Sequence, residues 1–360
     1  MEKFHCKTKI IAGFGAMDHL KELNIKKLFL VCDPFFAKNG TAETLIRASG
    51  SQESRIFSEI APDPSVTLAA KGAAQVKEFC PDTVVALGGG SAMDAAKAML
   101  YFSGVNACLV AIPTTSGSGS EVTNFAILTH NGVKHPLVDE KLKPVVAILD
   151  SELVVSLPPA LAAEGGFDLI SHAVEAYVAT GQGIFSDILA EAALKTALEE
   201  LLPSFAGDGC SREKMHTAAT MAGVAFSQAG LGLCHAISHS LGGEFHLPHG
   251  RLNAILLPTV MDHNAASCGA RYARLARAVG LSGGSDLMAQ RALKNALLRL
   301  RRSLQLPASL AQAGIPPAAV REKMTTLLKS TLADPCCATN PVPPTEETVR
   351  SILAQVMGHG

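Results

Sequence analysis

Short, uninterrupted apolar runs alternate with longer amphipathic ones in the first part of the chain. Lys27 to Cys32 (KLFLVC), Thr83 to Leu87 (TVVAL), Ala107 to Ile112 (ACLVAI) and Val145 to Leu149 (VVAIL) each read as a buried strand, closed by Asp33-Pro34, Gly88, Pro113 and Asp150 respectively. Helical stretches such as SAMDAAKAML separate them, which predicts β-α units on a mainly parallel sheet. After Pro158-Pro159 the period changes. Amphipathic runs at 187–202, 211–229, 268–280 and 285–305 dominate, and strand patterns stop. The pattern predicts an α/β domain over 1–155, with a Rossmann-like parallel sheet, followed by an all-helical domain over 156–360. The Pro-rich stretch near 335–345 is expected to be a surface loop.

Composition narrows the classes. A chain of 360 residues fits two domains at roughly 100–200 residues each. With 48% hydrophobic and 18% charged residues it can build ample core. Its 31 basic and 32 acidic side chains leave a net charge of −1, without the basic footprint that nucleic-acid binding uses. No Trp and three Tyr leave few platforms for stacking bases. No stretch approaches 18 consecutive apolar residues, so no membrane span is expected. Nine Cys are scattered without a C-x-x-C pair, and the N-terminus shows no signal-peptide apolar region. Reduced thiols in a cytoplasmic protein are the expectation.

Two loops carry candidate anion chemistry. Gly88-Gly89-Gly90-Ser91 joins a strand to a helix, where glycine lets a phosphate approach the backbone and the helix N-terminus offers unpaired N–H groups. Ser91 and Asp94 also fit a capping box, a purely structural role. The second loop, PTTSGSGSE (113–121), offers five hydroxyls and two glycines just after another strand. A flexible Gly/Ser loop is the bland alternative. Two such loops after neighbouring strands suit the carboxyl edge of an α/β sheet, where ligands bind. Asp33, at the end of an earlier strand, is placed to accept a bond from a ribose hydroxyl and to repel a 2′-phosphate; the bland alternative is a strand-end turn with Pro34.

Histidine is the sharpest signal. The chain averages about one in thirty residues, yet His235, His239, His246 and His249 fall within fifteen. His235 and His239 are spaced i,i+4, as are Asp168 and His172 in FDLISHAVEAY, so each pair shares a helix face. Gly242-Gly243 and Pro248 are expected to break the helix and return His249 towards His235. Imidazoles clustered with a carboxylate in a helical domain predict a divalent-metal site.

The stretches GGGSAMDAAKA (88–98), PTTSGSGSEVT (113–123), FDLISHAVEAY (167–177) and GLGLCHAISHSLGGEFHLPHGRLNAILLP (230–258) together resemble the iron-containing (group III) alcohol dehydrogenases over nearly the whole chain. The first and last are most similar to the propanol and ethanol dehydrogenases of propanediol or ethanolamine utilisation. The resemblance implies a dehydroquinate synthase-like fold with the active site in the cleft between domains. It implies metal ligands at Asp168, His172, His235 and His249, and a residue at His239 that faces substrate and nicotinamide. It places cofactor contacts at Gly89, Gly90, Ser91, Thr114, Thr115 and Ser118, with Lys134 near the nicotinamide ribose and Asp33 as the carboxylate associated with NAD preference. Ser118 replaces a usual Thr, Leu169 a usual Ala, and Arg251 follows PHG where a small or apolar residue is common; Arg251 bears on the size or charge of the substrate.

The expected function is therefore NAD(H)-linked oxidation of a short primary alcohol, or reduction of its aldehyde, at Fe(II). Zn(II) binds such ligands at least as well. The alternatives are a related polyol dehydrogenase, of 1,3-propanediol or glycerol type, and a non-catalytic scaffold in an enzyme assembly. A homo-oligomer in the cytoplasm is expected, with residence in a bacterial microcompartment beside other enzymes as the variant that the closer resemblance suggests.

Overall fold

A computed structural model describes residues 4–130, 133–281 and 283–358. The chain forms two compact units: His5–Leu157, and Pro158–Gly360 together with the N-terminal end of the chain. In the second, Phe4 stacks on Phe185 with ring centroids 4.9 Å apart.

The first unit contains β1 (Lys9–Gly13), β2 (Lys27–Cys32), β3 (Glu53–Phe57), β4 (Thr83–Gly88), β5 (Cys108–Pro113), β6 (Phe125–His130), β7 (Val133–Val138) and β8 (Val146–Asp150). Its helices are α1 (Pro34–Lys38), α2 (Thr41–Ser49), α3 (Val66–Phe79) and α4 (Gly90–Ser103). Six strands make one parallel sheet in the order β1-β8-β5-β4-β2-β3, while β6 and β7 pair as a separate antiparallel ribbon. Alternate residues face opposite cores. Phe29, Val31, Val84, Ala86, Leu109 and Ala111 pack with Val76, Met93 and Met99 on one face; Leu28, Leu30, Val85, Leu87, Val110 and Ile112 pack with Leu20 and Leu45 on the other. Burial on both faces is why these strands read as continuous apolar runs.

Four strands, β1, β3, β6 and β7, add to the four apolar runs named from the sequence. The edge strand β3, ESRIF, exposes its first residues and has no apolar run to find. The hairpin β6–β7 lies outside the main sheet and carries Lys134 on its second strand.

The sheet positions the candidate anion-binding loops of the first unit. The chain leaves β2 for β3 on one side and β4 for β5 on the other, so the strand order reverses between β2 and β4. Such switch points open a crevice beyond the strand carboxyl ends. Cys32 pairs with Leu87, and Gly88 with Pro113, so Asp33 and both Gly/Ser loops emerge side by side. The Ser91–Asp94 capping box does not form. Helix α4 starts at Gly90 with Gly89 as N-cap and no side-chain cap. Asp94 instead accepts from Ser120 Oγ at 2.9 Å and from the Ile127 N–H at 3.0 Å.

The second unit is helical: α5 (Pro159–Val178), α6 (Ile184–Phe205), α7 (Gly209–Ala229), α8 (Leu233–Phe245), α9 (His249–Ala278), α10 (Asp286–Ser303), α11 (Pro317–Glu322), α12 (Met324–Ala333) and α13 (Glu346–Val356). Helix α5 is buried nearly all round, against α6, α7 and α9, which is the behaviour of a helix apolar on every face. Gly242 and Gly243 do not break α8. They are buried within it, and the helix ends at His246 in the left-handed conformation (φ 55°). The run expected at 268–280 is the second half of α9, which bends at Cys268. The Pro-rich stretch is not simply a surface loop. Pro335–Thr339 is a short 3-10 turn, and Asn340 is buried and bonded to Leu233, Asn264 and Val342.

Candidate active site

In the first unit, the crowding is set by glycine. Gly88 has φ 154° and a Cβ there would lie 2.5 Å from Asp33 Oδ2 and 2.6 Å from Ala92 Cβ, so only glycine admits the carboxylate. Asp33 accepts the Gly89 N–H, although burial is the larger influence and raises its pKa. A Cβ on Gly89 would sit 3.3 Å from Thr115, and one on Gly90 3.4 Å from Ser118. The Thr114 N–H donates to Gly88 O at 3.0 Å. Asp33, Gly89, Gly90, Thr114, Thr115 and Ser118 are thus brought together around the first turn of α4, which also holds Ser91. The α4 amides lack a side-chain cap, the feature that lets a helix N-terminus receive phosphate. Lys134, on β7 opposite Thr129, pairs with Asp63 at 2.7 Å.

Lys97, which the sequence does not single out, ties these loops of the first unit together. Its buried ammonium donates to Ser120 Oγ (2.9 Å), Thr123 Oγ1 (2.9 Å) and Phe125 O (2.8 Å), joining α4 to the hydroxyl loop. Burial lowers its pKa to about 8 against the opposing pull of Asp94 and Glu121. The available signal was a Lys and an Asp three residues apart in the otherwise apolar SAMDAAKAML.

In the second unit, Asp168 Oδ1 is a hub. His249 Nε2, His172 Nε2 and His235 Nε2 lie 3.6, 3.7 and 3.8 Å from it. Donor atoms of Asp168, His172 and His235 are all within 4.8 Å of one another and the three residues are buried. Ligands bonded at about 2.1 Å to a tetrahedral ion stand on the order of 3.4 Å apart, so the spacing and the donor chemistry fit a divalent metal. The elements explain the convergence. Asp168 and His172 are one turn apart on α5, His235 is in the first turn of α8, and His249 opens α9. Gly250 lets α9 meet α5, since a Cβ there would fall 1.9 Å from Glu164 O.

Electrostatics follows the geometry. Burial alone would raise the Asp168 pKa, but His172, His249 and His235 outweigh it and hold the carboxyl well below the usual range. Burial pushes His235 down, yet Asp168 and Glu175 win and lift it to about 9. The Cys234 thiol is pushed well above its usual value, by burial first and then by Glu175 and Asp168. It packs here as a thiol.

Three partners escaped the sequence reading. Asn253 donates to Asp168 Oδ1 at 2.9 Å while its own oxygen accepts from Ser238 Oγ. Glu175 Oε2 lies 2.6 Å from His235 Nδ1. Asp334 Oδ2 lies 2.8 Å from Nδ1 of His239, whose ring stacks on His249 at 5.0 Å. Arg251 is already committed: its Nε and Nη2 donate to Glu164 Oε1 at 2.9 and 2.5 Å.

Residues 7–151 match the iron-containing alcohol dehydrogenase family, and residues 162–357 match the C-terminal domain of the same family. The chain belongs to that family. It is an oxidoreductase of the alcohol dehydrogenase type, and the family is generally one of iron and NAD(H). The chain is 41% identical to the 1-propanol dehydrogenase PduQ of Salmonella typhimurium, covering 99% of this chain and all of that one. It is 36% identical to an NADPH-dependent butanol dehydrogenase of Clostridium saccharobutylicum, covering 95% and 94%. Among solved structures, the iron-containing alcohol dehydrogenase of Thermococcus thioreducens superposes with a TM-score of 0.91 at 32% identity, covering 98% and 99%. Among the described residues no helix is long and apolar enough to cross a membrane.

Proposed function

We propose that the enzyme interconverts a short primary alcohol, such as 1-propanol or ethanol, and its aldehyde with NAD(H), using Fe(II) held by Asp168, His172, His235 and His249. The observation that carries this is the approach of three imidazole nitrogens to one Asp168 oxygen. Such a metal, when bound, supplies Lewis-acid polarisation of the substrate oxygen. NAD(H) supplies the hydride chemistry, and the protein orients it. Asp168 and three imidazoles, each deprotonated at the ligating nitrogen, would hold the cation and leave the site net positive, which would favour an oxygen carrying developing negative charge. His239 presents Nε2 for a proton, while Asp334 fixes the proton on Nδ1. Gly89, Gly90, Ser91, Thr114, Thr115 and Ser118 cradle the pyrophosphate and ribose, and Lys134 lies near the nicotinamide ribose.

The substrate class is supported by the likeness to the 1-propanol dehydrogenase and by Arg251. Bonded twice to Glu164, that guanidinium has its charge balanced by a carboxylate, which weakens its pull on an anionic substrate. In a screen of C2–C4 aldehydes with NADH and Fe(II) added anaerobically, propanal and acetaldehyde are expected to exceed glyceraldehyde and 3-hydroxypropanal in kcat/KM by about tenfold or more, the scale on which a site suited to an unsubstituted alkyl chain discriminates against an added hydroxyl. A preference for the hydroxylated aldehydes transfers the assignment to a polyol dehydrogenase. Equal activity with Zn(II), undiminished in air, removes the iron assignment. In the same proposal the enzyme works as a cytoplasmic homo-oligomer, a dimer or higher, with a microcompartment as the alternative setting.

Cofactor choice is assigned to Asp33. A carboxylate beside Gly88 and Gly89 can accept from the adenosine ribose, whereas a 2′-phosphate would bring about two further negative charges to it. The wild type is expected to prefer NADH over NADPH in kcat/KM by roughly ten- to a few hundred-fold, a differential of about 1.4–3.5 kcal/mol. Asp33→Gly should narrow that ratio mainly by improving NADPH. An unchanged ratio assigns ribose recognition to another residue.

A further inference from the structure

The inference concerns Glu175, a buried carboxylate three residues beyond His172. Helix α8 begins at Leu233 with Gly232 as N-cap, and the first four N–H groups of any helix lack a partner within it. Here all four are taken by two side chains. Glu175 accepts from Gly232 (2.9 Å, Oε2), Cys234 (2.7 Å, Oε1) and His235 (3.4 Å, Oε2), and Asn340 Oδ1 accepts from Leu233 (3.0 Å). The same Glu175 Oε2 stands 2.6 Å from Nδ1 of His235. Gly232 makes room, since a Cβ there would meet Asn340 Oδ1 at 2.7 Å and Glu175 Oε1 at 2.8 Å.

A carboxylate can only accept, so when the imidazole is neutral, as a metal ligand must be, its proton sits on Nδ1 and the Nε2 lone pair is left on the side of Asp168 Oδ1, 3.8 Å away. The His235 ring has little freedom to turn: it stacks on His172 at 4.6 Å and is 1% exposed. Glu175 is 3% exposed, and the ion pair that the structure gives it is with His235. One side chain therefore sets where α8 starts and which nitrogen His235 offers.

We infer that Glu175 is a positioning residue for the metal centre, selecting the tautomer of His235 and raising its donor strength. This rests on the reading of His235 as a ligand. Partners of this kind are worth about 10–100-fold in metal affinity.

The test uses the full-length metal-free enzyme titrated with Co(II), with affinity read by chelator competition and geometry by the visible spectrum of the bound ion. Glu175→Gln keeps the volume but cannot accept at both oxygens; it should weaken Co(II) binding about 10–100-fold and alter the spectrum. Asn340→Ala removes the other cap of the same helix end without touching His235, and should leave affinity within about threefold. If Glu175→Gln does not fold, Gly232→Ala displaces the carboxylate and Asn340 Oδ1 together through its added methyl, and should lose Co(II) affinity well beyond Asn340→Ala. His235→Ala separates the two claims. If it binds Co(II) normally, the ligand reading fails. If it loses Co(II) while Glu175→Gln binds as wild type, or if Asn340→Ala loses as much as Glu175→Gln, the inference alone is overturned and the carboxylate is only a helix cap.

Discussion

Asp168→Ala should strip the enzyme of metal and lower kcat/KM by about 10³-fold or more. The variant removes the oxygen that His172, His235 and His249 approach at 3.6–3.8 Å, leaving three imidazoles with no anion to balance a dication. It also leaves the Asn253 amide without its acceptor. Lewis-acid activation is worth several kcal/mol, and each 1.36 kcal/mol is tenfold in rate, which gives about three decades. His172→Ala, His235→Ala and His249→Ala should act in the same direction. The proposed cofactor contacts are other residues, so NADH affinity should stay within about twofold. The measurement pairs metal content by elemental analysis with steady-state kinetics and NADH fluorescence. A folded variant with full metal content and near-normal turnover sinks the ligand assignment.

The second large effect falls on His239. Its ring is part-exposed and stacked on His249, and Asp334 holds Nδ1. Burial alone would raise the Asp334 pKa, but His239 outweighs it and the net shift is downward, so Asp334 stays ionised and acts as an acceptor. If His239 handles the proton, His239→Ala should lower kcat by about 10²–10⁴-fold, the usual worth of a placed acid or base. Metal content should be unchanged, since His239 is not among the four proposed ligands. Asp334→Asn keeps the shape and loses the charge, and should cost about tenfold. Loss of metal from His239→Ala moves this residue into the ligand set; wild-type kcat removes it from the reaction.

How legible was all this in the sequence? KLFLVC, TVVAL, ACLVAI and VVAIL were readable because both faces of the sheet are covered, which makes an apolar run out of what would otherwise be alternation. ESRIF was not, because an edge strand needs no apolar run. The Gly242-Gly243 pair misled: glycine in a helix costs only about 1 kcal/mol, and burial in α8 outweighs it. The Ser91–Asp94 capping box was a local pattern whose Asp is used instead across the fold, by Ser120 and Ile127.

The donors themselves could be picked out one element at a time. Asp168 with His172, and His235 with His239, are marked by the i,i+4 period of a single helix, and a helix period is a property of neighbouring residues alone. Their partners could not be. Asp334 reaches His239 across 95 residues, Asn253 reaches Asp168 across 85, and Glu175 reaches His235 across 60. Nothing in FDLISHAVEAY distinguishes Glu175 from a solvated acidic residue until α8 is seen to start against it. Local sequence determined which side chains could bind a metal or an anion. Tertiary packing decided which nitrogen His235 presents, which cap starts α8 and what holds His239, because a buried polar group must find its partner wherever the fold brings one.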